Sequence, residues 1–382
     1  MSDWDVIVVG VGAMGSATAF HLARRGVCVL ALEQFDLAHD QGSSHGYTRI
    51  MRHAYYNAPG YVPLVQRAQT LWGELEEVSG ETLFIHSGGL SLGRPDALVV
   101  RGALLAAERY GLEHEVLDAA EVARRFPAVR LSDDMIGVHD PSAGFLLPER
   151  AILAHAAAAR LHGAEVRTQE AITGWEATTD GVEVQTEHRV YRAERLVFTA
   201  GAWMAELLAD LHLPLEVTRQ VVGWFEPDEP ALCEPDRLPV WLLQPPDDEE
   251  YFYGLPRFGP PGLKLGRMFH LQHAVTPETL NRTTDDADEA LLRTCLAPYF
   301  PGANGRALEL MTCMFTSTPD GHFIMDAHPR HPNVTLVSAC SGHGFKFASV
   351  VGEIAAELAL DGQSRHDIEM FRLDRFENGT AR

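Results

Sequence analysis

The sequence predicts an α/β protein of two domains. The first is built on a mostly parallel sheet and is discontinuous along the chain; the second is an α+β unit on an antiparallel sheet. Three observations predict this. The chain opens on a strand, a glycine turn, a helix and a second strand. Strands and helices of the same grain return in two later stretches, and between them lie segments rich in Gly, Pro and aromatics that alternate apolar with polar. A length of 382 residues leaves room for two cores, because domains run to roughly 100–200 residues.

Asp5–Val9 reads as a short apolar strand, Gly10-Val11-Gly12-Ala13-Met14-Gly15 as the turn, SATAFHLARRG as the helix, and Val27–Leu32 as a second strand ending in Glu33. This is the Rossmann-like fingerprint of a dinucleotide site. Gly10 permits the tight turn and Gly12 lets a pyrophosphate approach the backbone. Gly15 allows the helix to pack closely on the strand, and the phosphates face the helix N-terminus at Ala13 and Met14. A carboxylate at Glu33 accepts hydrogen bonds from a ribose diol and disfavours a 2′-phosphate, so NAD or FAD fits better here than NADP.

The later elements extend the same domain. Arg150–His162 is an alanine-rich helix that stops at Gly163 and passes into a strand at 164–167. A strand from Arg195 ends in the Gly201 turn. Asn333–Cys340 is a strand leading through Ser-Gly-His-Gly-Phe-Lys346 into a helix over Phe347–Leu360, closed by Gly362. We assign 1–84, 146–217 and 318–382 to the nucleotide domain and 85–145 and 218–317 to the second. In the latter, Leu83–Gly93 and Leu238–Phe269 carry the alternating pattern of antiparallel strands. Pro245–Glu250 is expected as a solvated turn and Phe376–Arg382 as a loose tail.

Composition narrows the partners. A net charge of −22 repels nucleic acid and anionic lipid, leaving small molecules. No apolar run reaches the ~18 residues of a membrane span, and the N-terminus lacks a basic leader, so a cytoplasmic protein is expected. The cysteines, Cys28, Cys233, Cys295, Cys313 and Cys340, are odd in number with no CxxC, which argues against both a disulfide framework and a metal site. Of 31 basic residues only Lys264 and Lys346 are lysines. Where Arg serves nearly everywhere else, they become candidates for work that needs a compact ammonium.

Four long motifs then stand in order: Gly42-Ser-Ser-His45-Gly-Tyr-Thr-Arg49-Ile-Met-Arg52-His-Ala-Tyr, Gly262-Leu-Lys264-Leu-Gly266, Cys313-Met-Phe-Thr-Ser-Thr-Pro-Asp320 and Ser341-Gly-His-Gly-Phe-Lys346. With them the chain resembles, over nearly its whole length, the family of monomeric sarcosine oxidase and N-methyltryptophan oxidase among the D-amino-acid-oxidase-like flavoproteins. The resemblance implies a Rossmann-like FAD-binding domain, FAD joined through Cys313 as a thioether, oxygen as the second substrate, and a monomer. It implies that Ser43, Ser44, Val166, Ala200, Gly201 and Trp203 line the nucleotide. Gly342, Gly344 and Phe345 would lie at the flavin, and His45 and Arg49 on its far face.

It further implies that Lys264 promotes the reaction with oxygen and that Arg52 and Lys346 grip a substrate carboxylate. The chemistry agrees, since a fixed cation stabilises developing superoxide and an Arg fork binds a carboxylate bidentately. Tyr253 is expected in the pocket wall. Phe315 and Met268 stand where sarcosine oxidase has Tyr and His; losing both polar groups favours a bulkier or more hydrophobic substrate than sarcosine. His270 is expected at the surface, His322, His328 and His331 as solvated loop histidines, and His343 within a backbone turn. The reading is an FAD-dependent oxidase of N-methyl amino acids. An oxidase of bulkier or cyclic secondary amines, a flavin dehydrogenase, a non-catalytic FAD binder and an NAD-linked dehydrogenase are the alternatives.

Overall fold

The computed structural model describes residues 3–55 and 58–376. Residues 377–382 of the expected tail lie outside the described residues. The opening strand, Trp4–Val9, pairs in parallel with Val29–Leu32 on one side and Val190–Phe198 on the other. Glu165–Arg167 extends the sheet beyond Val29–Leu32, and His331–Ser338 lies parallel to the second half of Val190–Phe198. The parallel core therefore draws strands from four separate stretches of chain. Two antiparallel hairpins trim it, Ile172–Thr178 with Gly181–Thr186, and Ile324–His328 with His331–Ser338.

A parallel sheet must be covered on both faces, and the alternation along the opening strands does this. Val6, Val8, Val29 and Ala31 face the helices Ala13–Ala23, Tyr61–Ser79, Pro148–Leu161 and Ala348–Asp361. Ile7, Val9, Leu30 and Leu32 pack on the other side with Phe198, Met204 and Leu336. The first and last helices cross so closely that a Cβ on Gly352 would lie 2.5 Å from the Ala17 carbonyl carbon. The last helix begins at Ala348, after a 3-10 turn over Phe345–Phe347, and ends at Gly362 with φ +69°. No helix of the described residues is long and apolar enough to cross a membrane.

The second sheet also has eight strands. In spatial order they are Ala307–Ser317, Glu216–Phe225, Leu263–Arg267, Phe252–Leu255, Val240–Leu243, Gly89–Gly93, Ile136–Asp140 and Glu115–Asp118. All neighbours are antiparallel except Val240–Leu243 against Gly89–Gly93, which run parallel. The sheet is antiparallel as expected, with this one parallel seam. The two strands come from different excursions of the chain, so no hairpin reverses the direction between them. The alternating stretch Leu83–Gly93 holds two strands, Phe84–His86 and Gly89–Gly93. Gly88 turns with φ +72°, and Phe84–His86 joins a small sheet with Gly144–Leu146, which also pairs with Arg49–Met51. Pro245–Glu250 is a turn only partly solvated, with Asp248 held by Arg267 at 2.7 Å.

Candidate active site

One cavity of about 440 Å³ lies between the sheets. Its walls include both the glycine turn with Glu33 and the residues around Lys264, Cys313 and Lys346. In the nucleotide part, Gly10 holds φ +87°, and a Cβ on Gly15 would fall 1.7 Å from the Gly10 carbonyl oxygen. Gly15 therefore serves helix-to-turn packing and does not itself line the cavity. A Cβ on Gly12 would meet nothing nearer than Ser44 Oγ at 4.0 Å, so this glycine leaves room directly before the helix. That helix has no side-chain cap and no acid in its first turn, so its N-terminal amides remain available to an anion.

Glu33 is 4% exposed. Its carboxylate accepts from the Val11 amide at 2.7 Å and the Phe35 amide at 3.1 Å, which aims it across the turn. Thr199, which the sequence did not single out, donates to Val9 O at 3.0 Å and Gly10 O at 2.7 Å and so fixes the turn from the neighbouring strand. Ala13, Met14, Ser43, Ser44, Ala200, Gly201 and Trp203 all line the cavity. Val166 does not. It pairs with Ala31 inside the sheet, and the chain reaches the cavity only after Gln169 turns with φ +57°, at Glu170 and Ile172.

Cys313 sits on Ala307–Ser317 opposite Gln220. It is 7% exposed, and its Sγ lies 3.9 Å from Ser43 O and 3.7 Å from Met314 O. Burial pushes this thiol up, opposed by the nearby Arg49. Lys264 lies on Leu263–Arg267 between Trp224 and Leu255. Its ammonium donates to Gly46 O at 2.6 Å, Thr48 O at 2.9 Å and Thr48 Oγ1 at 3.2 Å. Burial, reinforced by Arg49, draws its pKa well below the ordinary lysine value.

Arg49 donates to Thr48 O at 2.9 Å, to Ser43 O at 3.0 Å and to His45 O, so it knits the 43–49 loop to itself. His45 places Nε2 3.1 Å from Thr312 O, the residue before Cys313, while Nδ1 is buried with no hydrogen bond among the described residues. Burial and then Arg49 lower this imidazole to about 4. A positive charge on His45, so close to Arg49 and so dry, is disfavoured.

Lys346 and Arg52 approach the same aromatic ring, with Nζ of Lys346 5.5 Å and the Arg52 guanidinium 4.8 Å from the centre of Tyr55. Lys346 donates to His343 O at 3.0 Å, Arg52 to Ala54 O at 2.6 Å. Burial and the adjacent Arg52 hold Lys346 well below its usual pKa, and no carboxylate of the described residues forms an ion pair with it. Buried charge is costly without a counter-ion, and the cavity beside Lys346 can admit one.

Met268, Phe315 and Tyr253 complete the wall. A Cβ on Gly342 would come within 2.7 Å of Met268 Cε and 2.8 Å of Phe315 Cε2, so both apolar side chains close on this glycine. Gly344, Phe345 and Lys346 follow it along the cavity. Tyr251 and Leu242 also line it and were not foreseen. Tyr251 could have been read from its spacing two before Tyr253, which puts both on one face; Leu242 is set opposite Tyr253 only by strand pairing. The expected surface position of His270 is corrected: it is fully buried, with Nε2 2.9 Å from Asp288. His328 is likewise buried, 5.6 Å from the Trp175 ring, because it ends a strand instead of lying in a loop. His322 and His331 are partly buried. His343 does sit in a turn, its amide bonded to Cys340 O at 3.0 Å, with its ring packed among Tyr55, Tyr61 and Phe323.

The residues therefore fit FAD: an open glycine turn at a helix start, an aimed acid, and a continuous cavity that ends at a buried thiol and two lysines. Comparison with known proteins agrees. The sequence model of the FAD dependent oxidoreductase family matches residues 5–358. The chain is 42% identical to the monomeric sarcosine oxidase of Streptomyces avermitilis, covering 96% of each. It is 36% identical to the N-methyl-L-tryptophan oxidase of Citrobacter koseri, over 98% of this chain and 99% of that one. Among solved structures it superposes on the open form of NikD, an unusual amino acid oxidase essential for nikkomycin biosynthesis, with TM-score 0.85, 25% identity and coverage of 97% and 98%. The fold, the glycine turn and these full-length alignments together establish that this chain belongs to the FAD-dependent oxidoreductase family.

Proposed function

We propose that this protein oxidises N-methyl amino acids, with oxygen and water as co-substrates, to the demethylated amino acid, formaldehyde and hydrogen peroxide. The observation that carries this reading is the pair Arg52 and Lys346, two buried cations over one tyrosine ring, in the same cavity as Cys313 and Lys264. When bound, FAD accepts the two electrons released with the substrate C–H bond and passes them to oxygen. Arg52 and Lys346 hold the substrate carboxylate and fix which carbon faces the reactive ring. The same positive surroundings lower the substrate ammonium pKa, so that the amine is held in its neutral, oxidisable form.

Met268 and Phe315 exclude water and contact the apolar part of the substrate, which favours a larger side chain or N-substituent over that of sarcosine. Lys264, fixed by Gly46 and Thr48, presents positive charge where oxygen gains its first electron. Mixing the oxidised protein with a panel of amino acids in the absence of oxygen tests the reading. N-methyl derivatives with apolar side chains are expected to bleach the yellow colour faster than sarcosine does. Colour that persists with every secondary amino acid would overturn the proposal.

Attachment of FAD to Cys313 is part of the same proposal, supported by the buried thiol lining the cavity beside Ser43. Acid precipitation of wild-type protein is expected to leave a yellow pellet, and the Cys313→Ser protein a colourless pellet under a yellow supernatant. A yellow supernatant from wild type would show that the cofactor is not covalently held. The domain division at 84/85, 145/146, 217/218 and 317/318 is proposed too; apart from Glu216 and Val217, the strands of the two large sheets fall on opposite sides of it. A monomeric, cytoplasmic enzyme completes the proposal, supported by the name of the Streptomyces relative and by five cysteines none of which is in a disulfide.

A further inference from the structure

Directly after Met268 the backbone takes an unusual path. Phe269, Leu271 and Gln272, none of them glycine, hold φ of +53°, +40° and +49°. Such a run persists only where surrounding contacts over-determine it, and its presence at a cavity wall calls for a reason. The contacts come from a buried cluster behind the wall. His270 is fully buried, with its Nε2 2.9 Å from Asp288 Oδ1 and its amide donating to Gln220 Oε1 at 3.0 Å. Asp288 is gripped by both terminal nitrogens of Arg219 at 2.7 Å. Arg219 also donates to Asn281 O and Thr283 O, each at 3.0 Å.

The segment 269–283 is thus pinned at its start by His270, through Asp288, and at its end by Asn281 and Thr283, onto one arginine of the strand that pairs with the Cys313 strand. On the other side, Met268 is tied by its amide to Tyr251 O at 2.9 Å, and both residues line the cavity. Met268 is held between these two anchorages. His270 itself does not line the cavity, so it cannot exchange a proton with substrate, and the cluster has no part in the chemistry described above.

We propose that His270 is a positioning residue for substrate selection: its bond to Asp288 locks the left-handed turn at 269–272 and thereby sets Met268 as the rigid apolar wall beside the carboxylate site. The inference rests on the carboxylate-binding reading of Arg52 and Lys346. A rigid wall discriminates by shape, whereas a loose one accommodates either a bare or an apolar acid.

The test compares wild type, His270→Phe and His270→Gln as holoenzymes. Phe keeps an aromatic ring and loses the bond; the Gln amide can still donate to Asp288. Two probes are titrated, acetate and phenylacetate, following the change in the flavin absorption spectrum. In His270→Phe the preference for phenylacetate over acetate is expected to fall about tenfold, with acetate affinity within about twofold of wild type because Arg52 and Lys346 are untouched. His270→Gln is expected to keep most of the preference. Amide exchange over 268–273 is expected to quicken about tenfold in His270→Phe and to stay near wild type in His270→Gln.

Equal weakening of both acids, or an unchanged preference in His270→Phe, would overturn the positioning role. A wild-type protein that binds neither acid would instead defeat the carboxylate reading. The exchange measurement then decides alone, and unchanged exchange in His270→Phe would overturn the lock.

Discussion

Replacing Lys264 with methionine is expected to slow reoxidation of the reduced protein by oxygen about 100- to 1000-fold, the usual effect of deleting one fixed group that stabilises developing charge. Methionine is close to lysine in length, and its neighbours on the sheet, Trp224 and Leu255, are apolar. The three oxygens on Gly46 and Thr48 would each lose one bond, although Gly46 O keeps the Thr48 amide and Thr48 O keeps Arg49. Some thermal destabilisation should accompany the change, without loss of the fold. Reduction by substrate in the absence of oxygen is expected to stay within a few-fold of wild type, because Lys264 acts after that step. Stopped-flow mixing of pre-reduced protein with oxygen separates the two. Unchanged reoxidation would remove Lys264 from the oxygen reaction.

A pH dependence follows from the same residue. Burial and Arg49 depress the Lys264 pKa, so its proton is lost at a pH well below that of a free lysine. The cation is present below the lowered pKa and absent above it. The wild-type reoxidation rate is therefore expected to fall as pH rises, and the Lys264→Met rate to be flat over the same range. A flat wild-type profile would mean that this charge does not limit the step.

Lys346→Met is expected to cost about 2–4 kcal/mol in kcat/KM for amino acid substrates, roughly 30- to 1000-fold, because a desolvated carboxylate would lose one of two cationic partners. Secondary amines without a carboxylate provide the control, and for them the variant is expected to match or exceed wild type. The mutation removes a buried charge that no acid of the described residues neutralises, so the unliganded protein should be no less stable and is expected to gain stability. An equal fall for both substrate classes would show that Lys346 shapes the site without contacting the carboxylate.

Much of this was legible in the chain. The strand, glycine turn and helix at the start are local structures, set by residues within a few positions of one another, and Gly10, Gly15 and Glu33 occupy the places their chemistry requires. The helix closing at Gly362 follows equally from local rules. Rarity made the two lysines conspicuous, and both line the cavity.

Other features depend on which distant elements meet. The parallel seam between Gly89–Gly93 and Val240–Leu243 joins strands that no local pattern relates. Val166, expected at the nucleotide from the resemblance, pairs with Ala31 in the sheet and does not line the cavity. His270 looked like surface until Asp288 and Arg219 were placed behind it. The lowering of the His45 pKa by dry packing and by Arg49 depends on placement in the same way. By itself, then, the sequence determined the nucleotide turn, the pattern of elements and the chemical groups available. Tertiary structure decided which of those groups share a cavity and which of them stay charged, because burial and Coulomb energy depend on distance through space and not along the chain.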